Sequence, residues 1–159
     1  MKVDTAFDSF QTTVNADPDQ LAEARSRRDA FIDVLGGEDD VDKDCCFPSG
    51  SLARKTQRAP INDVDVVIGY RANAHPDWGQ PGNSAAEALD YVRGRINDLM
   101  GATNGVESNL VRLATPRNHA VKCFIDDPDD PDAFTVDVVP ALRQNDDSLL
   151  MRLSRPLVK

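Results

Sequence analysis

The sequence predicts a fold of the α+β or α/β class, in which helices cover a β-sheet. Three observations support this prediction: two long stretches with helical periodicity, several short apolar stretches rich in β-branched residues, and turn-forming residues between them. A chain of 159 residues has the length of one domain and is long enough to bury a sizeable core. We therefore expect a single domain over residues 1–159.

The first long helix is predicted over residues 17–36. Asp-Pro-x-Gln at 17–20 supplies an N-cap, a proline at the first helical position and a glutamine three residues after the cap. Gly36 and Gly37 end the run, and a shorter helix is expected over residues 4–14. The residues that recur at helical spacing are Leu21, Ala24, Phe31 and Leu35.

A second helix is predicted from Ser84 to about residue 100, since Ser84-x-x-Glu87 forms a capping box and Gly101 follows the last turn. The loop before this helix is rich in Gly, Pro and Asn and contains Trp78. Trp78 either stacks on a base or, as is commoner, fastens the loop to the body of the protein. The apolar face of the helix consists of Leu89, Val92, Ile96 and Leu99.

Four strands are predicted, over residues 61–70, 106–114, 119–125 and 133–139. The acidic segment 126–132 should connect the last two strands as a hairpin turn with solvated charges. Helix, strand, helix and then several strands is an order that favours one sheet covered by helices.

The charge balance argues against a protein that coats nucleic acid. Lys and Arg total 18 and Asp and Glu total 27, so the net charge is −9. Non-specific nucleic-acid binding requires clustered positive charge, and we therefore expect no stable nucleic-acid complex. No stretch approaches the length of a transmembrane helix and the first residues lack a signal peptide, so no membrane association is expected.

The cysteines do not form a disulfide framework. Cys45 and Cys46 are adjacent and Cys123 is a third, which is typical of a reduced, cytoplasmic protein. Neither His75 nor His119 lies at zinc-ligand spacing from a cysteine pair, and no zinc site is predicted.

The acidic segment 38–44 resembles the start of a calcium loop through Asp40, Asp42 and Asp44. The glycine that such a loop requires is absent, and Ser51 stands where the closing glutamate should be. We therefore expect a solvated acidic loop in place of a calcium site.

Three aspartates interrupt apolar strands. In the first predicted strand, Asp63 and Asp65 share one face because successive side chains alternate, while the other face is apolar. Asp137 is the lone charge within Phe-Thr-Val-Asp-Val-Val at 134–139. Carboxylates on buried strands need a compensating cation, and Mg²⁺ prefers such oxygen ligands. A purely structural explanation is also open. Asp63 and Asp65 could lie on an edge strand, and Asp137 could pair with a buried arginine.

A candidate anion site lies upstream of these aspartates. Gly50 allows the backbone to approach a ligand closely, and Ser51 begins a short segment, 52–57, with N–H groups at a helix start. Arg54 and its basic neighbours add local positive charge. A polyphosphate held at Gly50 and Ser51 could share a metal with the aspartates, although a Gly-Ser pair before a helix is by itself usually only a cap.

Gly-Ser followed by Asp-x-Asp and a later, apolar-flanked Asp is the pattern of the polymerase-β-like nucleotidyltransferases. The stretches GSLARKTQ, INDVDVVI and FTVDVVPAL resemble, in particular, the bacterial cGAS/DncV-like nucleotidyltransferases. This resemblance implies a mixed sheet that carries the catalytic aspartates, an N-terminal helix at about 17–36 and a core at about 45–145. It also implies nucleotidyl transfer from NTPs with release of pyrophosphate, and usually a cyclic di- or oligonucleotide messenger of antiphage defence as product.

By motif position, the resemblance assigns Gly50 and Ser51 to the donor triphosphate and places Arg54 and Thr56 in the same nucleotide-binding segment. Asp63 and Asp65 would bind Mg²⁺, with Mn²⁺ as an alternative. The third aspartate, Asp137, would complete the metal site and help to deprotonate the attacking hydroxyl.

Members of this family continue into a C-terminal helical lobe that the sequence does not show, so we expect either a fragment of a two-lobed protein or a minimal form. Two other functions remain open at this point. One is a small, antitoxin-like nucleotidyltransferase that modifies a protein or RNA hydroxyl. The other is an inactive interaction domain, against which the three retained carboxylates argue.

Overall fold

A computed structural model describes residues 17–50, 61–82, 84–101, 111–143 and 150–152. Within these residues the protein forms two α-helices, a 3₁₀ helix and one six-stranded sheet. In chain order the elements are α1 (Pro18–Gly36), the 3₁₀ helix (Lys43–Cys45), β1 (Phe47–Ser49), β2 (Asp63–Arg71), α2 (Ser84–Met100), β3 (Leu113–Pro116), β4 (Val121–Phe124), β5 (Thr135–Arg143) and β6 (Leu150–Arg152).

The sheet is mixed, and its strand order is β1-β2-β5-β4-β3, with β6 pairing a further part of β5. The two longest strands, β2 and β5, form a parallel pair at the centre. Every other pair of neighbouring strands is antiparallel. The predicted α+β class with a mixed sheet is therefore confirmed, and the connection at 126–132 joins β4 to its antiparallel neighbour β5 as predicted.

The core lies between the two helices and one face of the sheet. Alternation along β2 buries Val64, Val66 and Ile68 almost completely, as predicted from the pattern. Both helices contact the sheet, α1 mainly through β2 and α2 through β3, β4 and β5. On the opposite face of β2, Asp63 is exposed and Asp65 is only partly buried.

The start of α1 has the predicted cap, whereas the start of α2 differs from the prediction. Asp17 caps α1, since its Oδ1 accepts a 2.8 Å hydrogen bond from the N–H of Asp19. Ser84 is already the first residue of α2, and its hydroxyl donates a 2.7 Å hydrogen bond to the carbonyl of Gln80. Neither helix, nor any other in the described residues, is long and apolar enough to cross a bilayer.

Two strands differ in extent from the prediction. β5 continues to Arg143, four residues beyond the predicted end, through Pro140. Proline is tolerated here because β4 pairs with β5 only up to Val138 and β6 pairs with β5 only from Ala141 onward. The missing N–H therefore falls between the two antiparallel ladders. The strand predicted over 106–114 is seen as Leu113–Pro116.

Some predicted features lie outside the described residues. These are the helix at 4–14, the segment at 52–57 and the first part of the strand predicted at 106–114. Two strands, β1 and β6, were not predicted, because each spans only three residues and lacks a readable alternation.

The prediction that segment 38–44 is a solvated acidic loop is wrong. Asp42 is only 5% exposed and forms an ion pair with Arg143 at the end of β5. The Asp40 carboxylate accepts a 2.6 Å hydrogen bond from the Tyr91 hydroxyl and lies 2.7 Å from His75 Nε2. The loop is acidic because its carboxylates attach it to α2, to β5 and to the loop after β2.

Candidate functional site

The register of the two central strands places two of the predicted aspartates side by side. Asp65 of β2 is directly opposite Asp137 of β5. Neighbouring strands lie about 4.8 Å apart, and residues directly opposite each other project to the same face. Two carboxylates that are 72 positions apart in sequence are thus brought together on the face of the sheet opposite the one that packs against α1 and α2.

Asp63 belongs to the same face but has a different environment. It lies two residues before Asp65 at the start of β2, opposite Thr135, and its side chain is exposed. The expectation that all three carboxylates would be buried is therefore wrong for Asp63. Strand ends are more open to solvent, so this carboxylate can face water while Asp65 and Asp137 are partly buried.

Asp137 has an unfavourable setting for a charged carboxylate. Burial raises the pKa of this carboxyl, and the neighbouring charges of Asp65 and Asp63 raise the pKa further, while Lys122 and Arg117 act in the opposite direction. Its Oδ1 is buried and has no hydrogen-bond partner among the described residues. A buried acceptor without a partner is rare in folded proteins and indicates a place for a ligand or cation.

Lys122 of β4 is directly opposite Asp137 on the side away from Asp65. One structural explanation for Asp137 was a buried arginine partner. The residue in register is instead this lysine, and no salt bridge of 4.0 Å or less joins the two side chains within the described part of the chain.

Gly50 contacts the carboxylate of Asp65. Ser49 at the end of β1 pairs with Asp65, which brings Gly50 to the same point. A Cβ atom built on Gly50 would collide with Asp65 Oδ2 and would lie 3.0 Å from Asp65 Cγ. The backbone at Gly50 has a φ of +75°, which favours glycine as well. Any other residue at this position would displace the carboxylate.

The other predicted nucleotide-binding residues, Ser51, Arg54 and Thr56, lie outside the described residues. Their assignment therefore stays a prediction. Gly50, the residue before Ser51, is described and lies against the Asp65 carboxylate.

The carboxylates of Asp63, Asp65 and Asp137 are oxygen ligands of the kind that a hard divalent cation prefers. Asp137 Oδ1 also has no hydrogen-bond partner among the described residues. In residues 17–50, 61–82, 84–101 and 111–143, no three His, Cys, Asp or Glu side chains are already gathered closely enough to enclose a metal ion. Like charges repel in the absence of a cation, so side-chain rotation at Asp63 would be part of binding.

Lys122 and Arg117 are site residues that the sequence reasoning missed. The signal for Lys122 was present, since it is the lone charge between Val121 and Cys123, both fully buried. This is the same feature that identified Asp137. For Arg117, in the turn between β3 and β4, the sequence offers no comparable signal.

Comparisons with known proteins at the level of sequence find little. No family model matches the chain, and no curated protein matches it either.

Solved structures of similar fold are found. CdnC from E. coli MS115-1, in a complex with HORMA-deltaN, aligns with a TM-score of 0.59 and 19% identity over 92% of this chain and 45% of CdnC. CdnC with ATP aligns with a TM-score of 0.56 and 20% identity over 92% of this chain and 46% of the other. The CD-NTase CdnG from Bradyrhizobium diazoefficiens, in complex with GTP, aligns with a TM-score of 0.53 and 17% identity over 83% of this chain and 35% of CdnG.

The chain therefore has the fold of a part of the bacterial CD-NTases, and it spans less than half the length of these neighbours. The predicted resemblance to cGAS/DncV-like nucleotidyltransferases is confirmed at the level of the fold.

Proposed function

We propose that this chain is the catalytic core of a metal-dependent nucleotidyltransferase that uses NTPs. The observation that supports this most strongly is the pairing of Asp65 with Asp137 beside Gly50, on the face of the sheet opposite α1 and α2. Paired carboxylates next to a close backbone approach are suited to holding a cation and a phosphate together. The fold shared with CdnC and CdnG, which were solved with ATP and GTP, supports the same class of substrate.

Different residues of the site would bind the triphosphate and the metal ion. Gly50 and Ser51 would hold the donor triphosphate, with Arg54 and Thr56 in the same segment. Asp63, Asp65 and Asp137 would hold Mg²⁺, or Mn²⁺ as the alternative, and form the metal site of the enzyme. When bound, the divalent cation supplies positive charge that offsets these carboxylates and the phosphates.

The reaction proposed for this site is an in-line displacement at the α-phosphorus. The oxygen of an acceptor hydroxyl forms a bond to the α-phosphorus, and the bond from that phosphorus to the oxygen bridging to the β-phosphate breaks, so that pyrophosphate leaves. The hydroxyl proton passes to the Asp137 carboxylate, which acts as the general base.

For the product, we propose a cyclic di- or oligonucleotide that serves as a messenger in antiphage defence in the cytoplasm. A second candidate is transfer to a hydroxyl of a protein or RNA, as in small antitoxin-like members of the superfamily. Both functions use the same donor chemistry and differ in the acceptor.

The test is to incubate the protein with each NTP, labelled at the α-phosphate, in Mg²⁺ or Mn²⁺. Products are resolved after phosphatase treatment. A small phosphatase-resistant nucleotide supports the messenger synthase, and label on a macromolecule in the presence of cell extract supports the second candidate. No metal-dependent transfer of label from any NTP, and no NTP binding by calorimetry, would contradict the proposal and favour an inactive interaction domain.

A further inference from the structure

β1 and the residues that precede it pair with β2 in two different registers. Val41 is opposite Tyr70 in an isolated antiparallel bridge, and further along the chain Ser49 is opposite Asp65. If the pairing at Val41 continued without interruption, Cys46 would be opposite Asp65, because each lies five positions further along its strand. The observed partner is Ser49, so three extra residues are accommodated between the two registers.

The three extra residues form the 3₁₀ helix, Lys43–Cys45. This turn passes directly over Gly69 of β2. A Cβ atom built on Gly69 would collide with Cys45 Cβ and would lie 2.8 Å from the Cys45 carbonyl oxygen. The space that Gly69 leaves open is therefore what allows the turn to lie against β2.

Asp42 holds the start of this turn through both its backbone and its side chain. Its N–H donates a 2.8 Å hydrogen bond to the carbonyl of Gly69, and its carbonyl accepts a 2.9 Å hydrogen bond from the N–H of Cys45. Its Oδ1 accepts a 3.1 Å hydrogen bond from the N–H of Asp44, as an N-cap does. Its Oδ2 pairs with Arg143. Because the Asp42 carboxylate is buried, its charge needs this cation, and the ion pair fixes its orientation.

The turn decides where Gly50 lies. In the observed register Gly50 follows Ser49 and contacts the Asp65 carboxylate. In the uninterrupted register Gly50 would be opposite Ile61, before the start of β2. A shift of three residues is about 10 Å along a strand, and because three is odd it also turns each side chain of β1 to the other face. A phosphate held at Gly50 would then be out of reach of a metal at Asp65.

We propose that Asp42 and Arg143 are positioning residues for Gly50. Their ion pair holds the 3₁₀ turn, the turn sets the register of β1, and this register places Gly50 beside Asp65. Arg143 is six positions beyond the site aspartate of β5, about 20 Å along the strand, and is too far away to touch a metal or phosphate there. This inference rests on the proposed function, since the contact that is positioned is the proposed donor-phosphate contact.

The test measures nucleotide affinity and strand register separately, so that neither readout depends on turnover. Calorimetry of the full chain in Mg²⁺ gives the Kd of α,β-methylene-ATP, which is not hydrolysed. Electron paramagnetic resonance gives the Kd of Mn²⁺ alone. Nuclear Overhauser contacts between the backbone protons of Phe47 and Val67, which are opposite each other, report the register of β1.

Arg143→Gln and Asp42→Asn should each weaken binding of the ATP analogue about tenfold, which is the effect of losing one hydrogen bond to a charged group. The contacts between Phe47 and Val67 should weaken or vanish in both variants. The Kd of Mn²⁺ alone should stay at its wild-type value, because the register of β2 with β5 does not involve β1.

Three further variants act on the same turn. The double variant Asp42→Asn/Arg143→Gln should bind the analogue no more weakly than the weaker single variant, since both substitutions break one ion pair. Arg143→Lys keeps a positive charge and should retain more affinity than Arg143→Gln. Gly69→Ala reaches the turn by another route, because the added methyl displaces Cys45, and it should weaken analogue binding and the register contacts as Asp42→Asn does.

Glu38→Gln is the matched control. It breaks the ion pair between Glu38 and Arg95, which fastens the same stretch of chain to α2 but lies before the bridge at Val41. The melting temperature should fall, while the Kd of the analogue and the register contacts stay as in the wild type. A merely structural role for Asp42 would give the same result as this control.

The outcomes separate this inference from the proposed function. If the wild type binds the analogue but Asp42→Asn and Arg143→Gln behave like Glu38→Gln, the inference is wrong while the proposed function stands. If the wild type does not bind the analogue, the proposed function fails, and the register contacts still decide whether Asp42 and Arg143 set the register of β1. If Asp42→Asn does not fold, Arg143→Lys and Gly69→Ala decide by the same measurements.

Discussion

At the scale of single residues, the site depends on charges that are unfavourable for folding. Asp137 keeps a buried oxygen without a partner among the described residues, and the negative charges of its neighbours add to the cost. Gly50 has no side chain because the Asp65 carboxylate occupies that space. Such costs at adjacent positions are characteristic of a binding site, since packing alone would favour apolar residues there.

Asp65→Asn should leave the fold intact and reduce nucleotidyl transfer by at least about 100-fold, the scale of losing one electrostatic contact to a transition state. The metal-free variant should be as stable as the wild type or more so, because one of several clustered negative charges is removed. Labelled-NTP turnover and thermal melting measure the two effects. Asp77→Asn, at an exposed aspartate in the loop after β2, is the control. Wild-type turnover in Asp65→Asn would refute the metal assignment.

Asp137→Asn should change the pH dependence of stability. Because burial raises the pKa of Asp137 above its ordinary 3.8, the folded protein holds this proton to a higher pH than the unfolded chain does. Stability of the metal-free protein therefore falls as the pH rises from about 4 through the folded-state pKa. The asparagine variant loses this contribution, so its melting temperature in chelator should exceed that of the wild type more at neutral pH than at about pH 3. An equal difference at both pH values would contradict the assignment.

At the scale of elements, the parallel pairing of β2 with β5 brings the site together, and the loop after β2 is held in place by aromatic packing. Trp78 is only 7% exposed, stacks on His75 with ring centres 3.7 Å apart, and meets Tyr70 edge-to-face at 5.1 Å. The expectation that Trp78 fastens the loop to the body of the protein is confirmed. Through His75 and Tyr91, the same cluster reaches Asp40 in the segment before β1.

Trp78→Ala should lower the free energy of unfolding by about 3–5 kcal/mol, since a large buried aromatic is removed. Urea denaturation measures this loss, and Trp78→Phe should restore part of it. As the chain has 1 Trp, its fluorescence reports on this loop alone. The emission of the wild-type protein should be protected from acrylamide and unchanged on addition of NTP. Quenching by NTP would instead indicate stacking on a base.

In the molecule as a whole, the two faces of the sheet differ: one packs in the hydrophobic core and the other bears the candidate site. The helices bury one face, which contains the core, and the other face presents Asp65, Asp137 and Lys122 in one row across three strands. The aligned part of the neighbouring CD-NTases is less than half of their length. Contacts from further parts of such proteins would add to those described here.

The chain of 159 residues should bind NTP weakly, only with Mg²⁺ or Mn²⁺, and with little discrimination among bases. The triphosphate and metal contacts proposed above lie within it, whereas base recognition needs more enclosure than one open sheet face provides. A ligand at ten times its Kd adds about 1.4 kcal/mol, so the melting temperature should rise by a few degrees. Cyclic product should form only slowly, because cyclisation needs two nucleotides held in register. Efficient synthesis of one cyclic nucleotide by this chain would contradict the prediction.

The two long helices, the central strands and the three aspartates were predictable from the sequence. Each depends on a local feature: an N-cap, a hydrophobic period, or a lone charge in an apolar run. Asp17, Val64 and Asp137 illustrate the three signals. The resemblance in GSLARKTQ, INDVDVVI and FTVDVVPAL was likewise readable without a structure.

Contacts between residues that are distant in sequence were not predictable in this way. The register that sets Asp65 against Asp137, and Asp137 against Lys122, is a property of strand pairing between distant segments. The burial of Asp42 by Arg143 depends in the same way on a contact across 101 positions, and it overturned the solvated-loop prediction. Local sequence patterns predict helices, strands and caps. The partner of a charged side chain depends on how distant elements pack together, and no local pattern in the sequence indicates that packing.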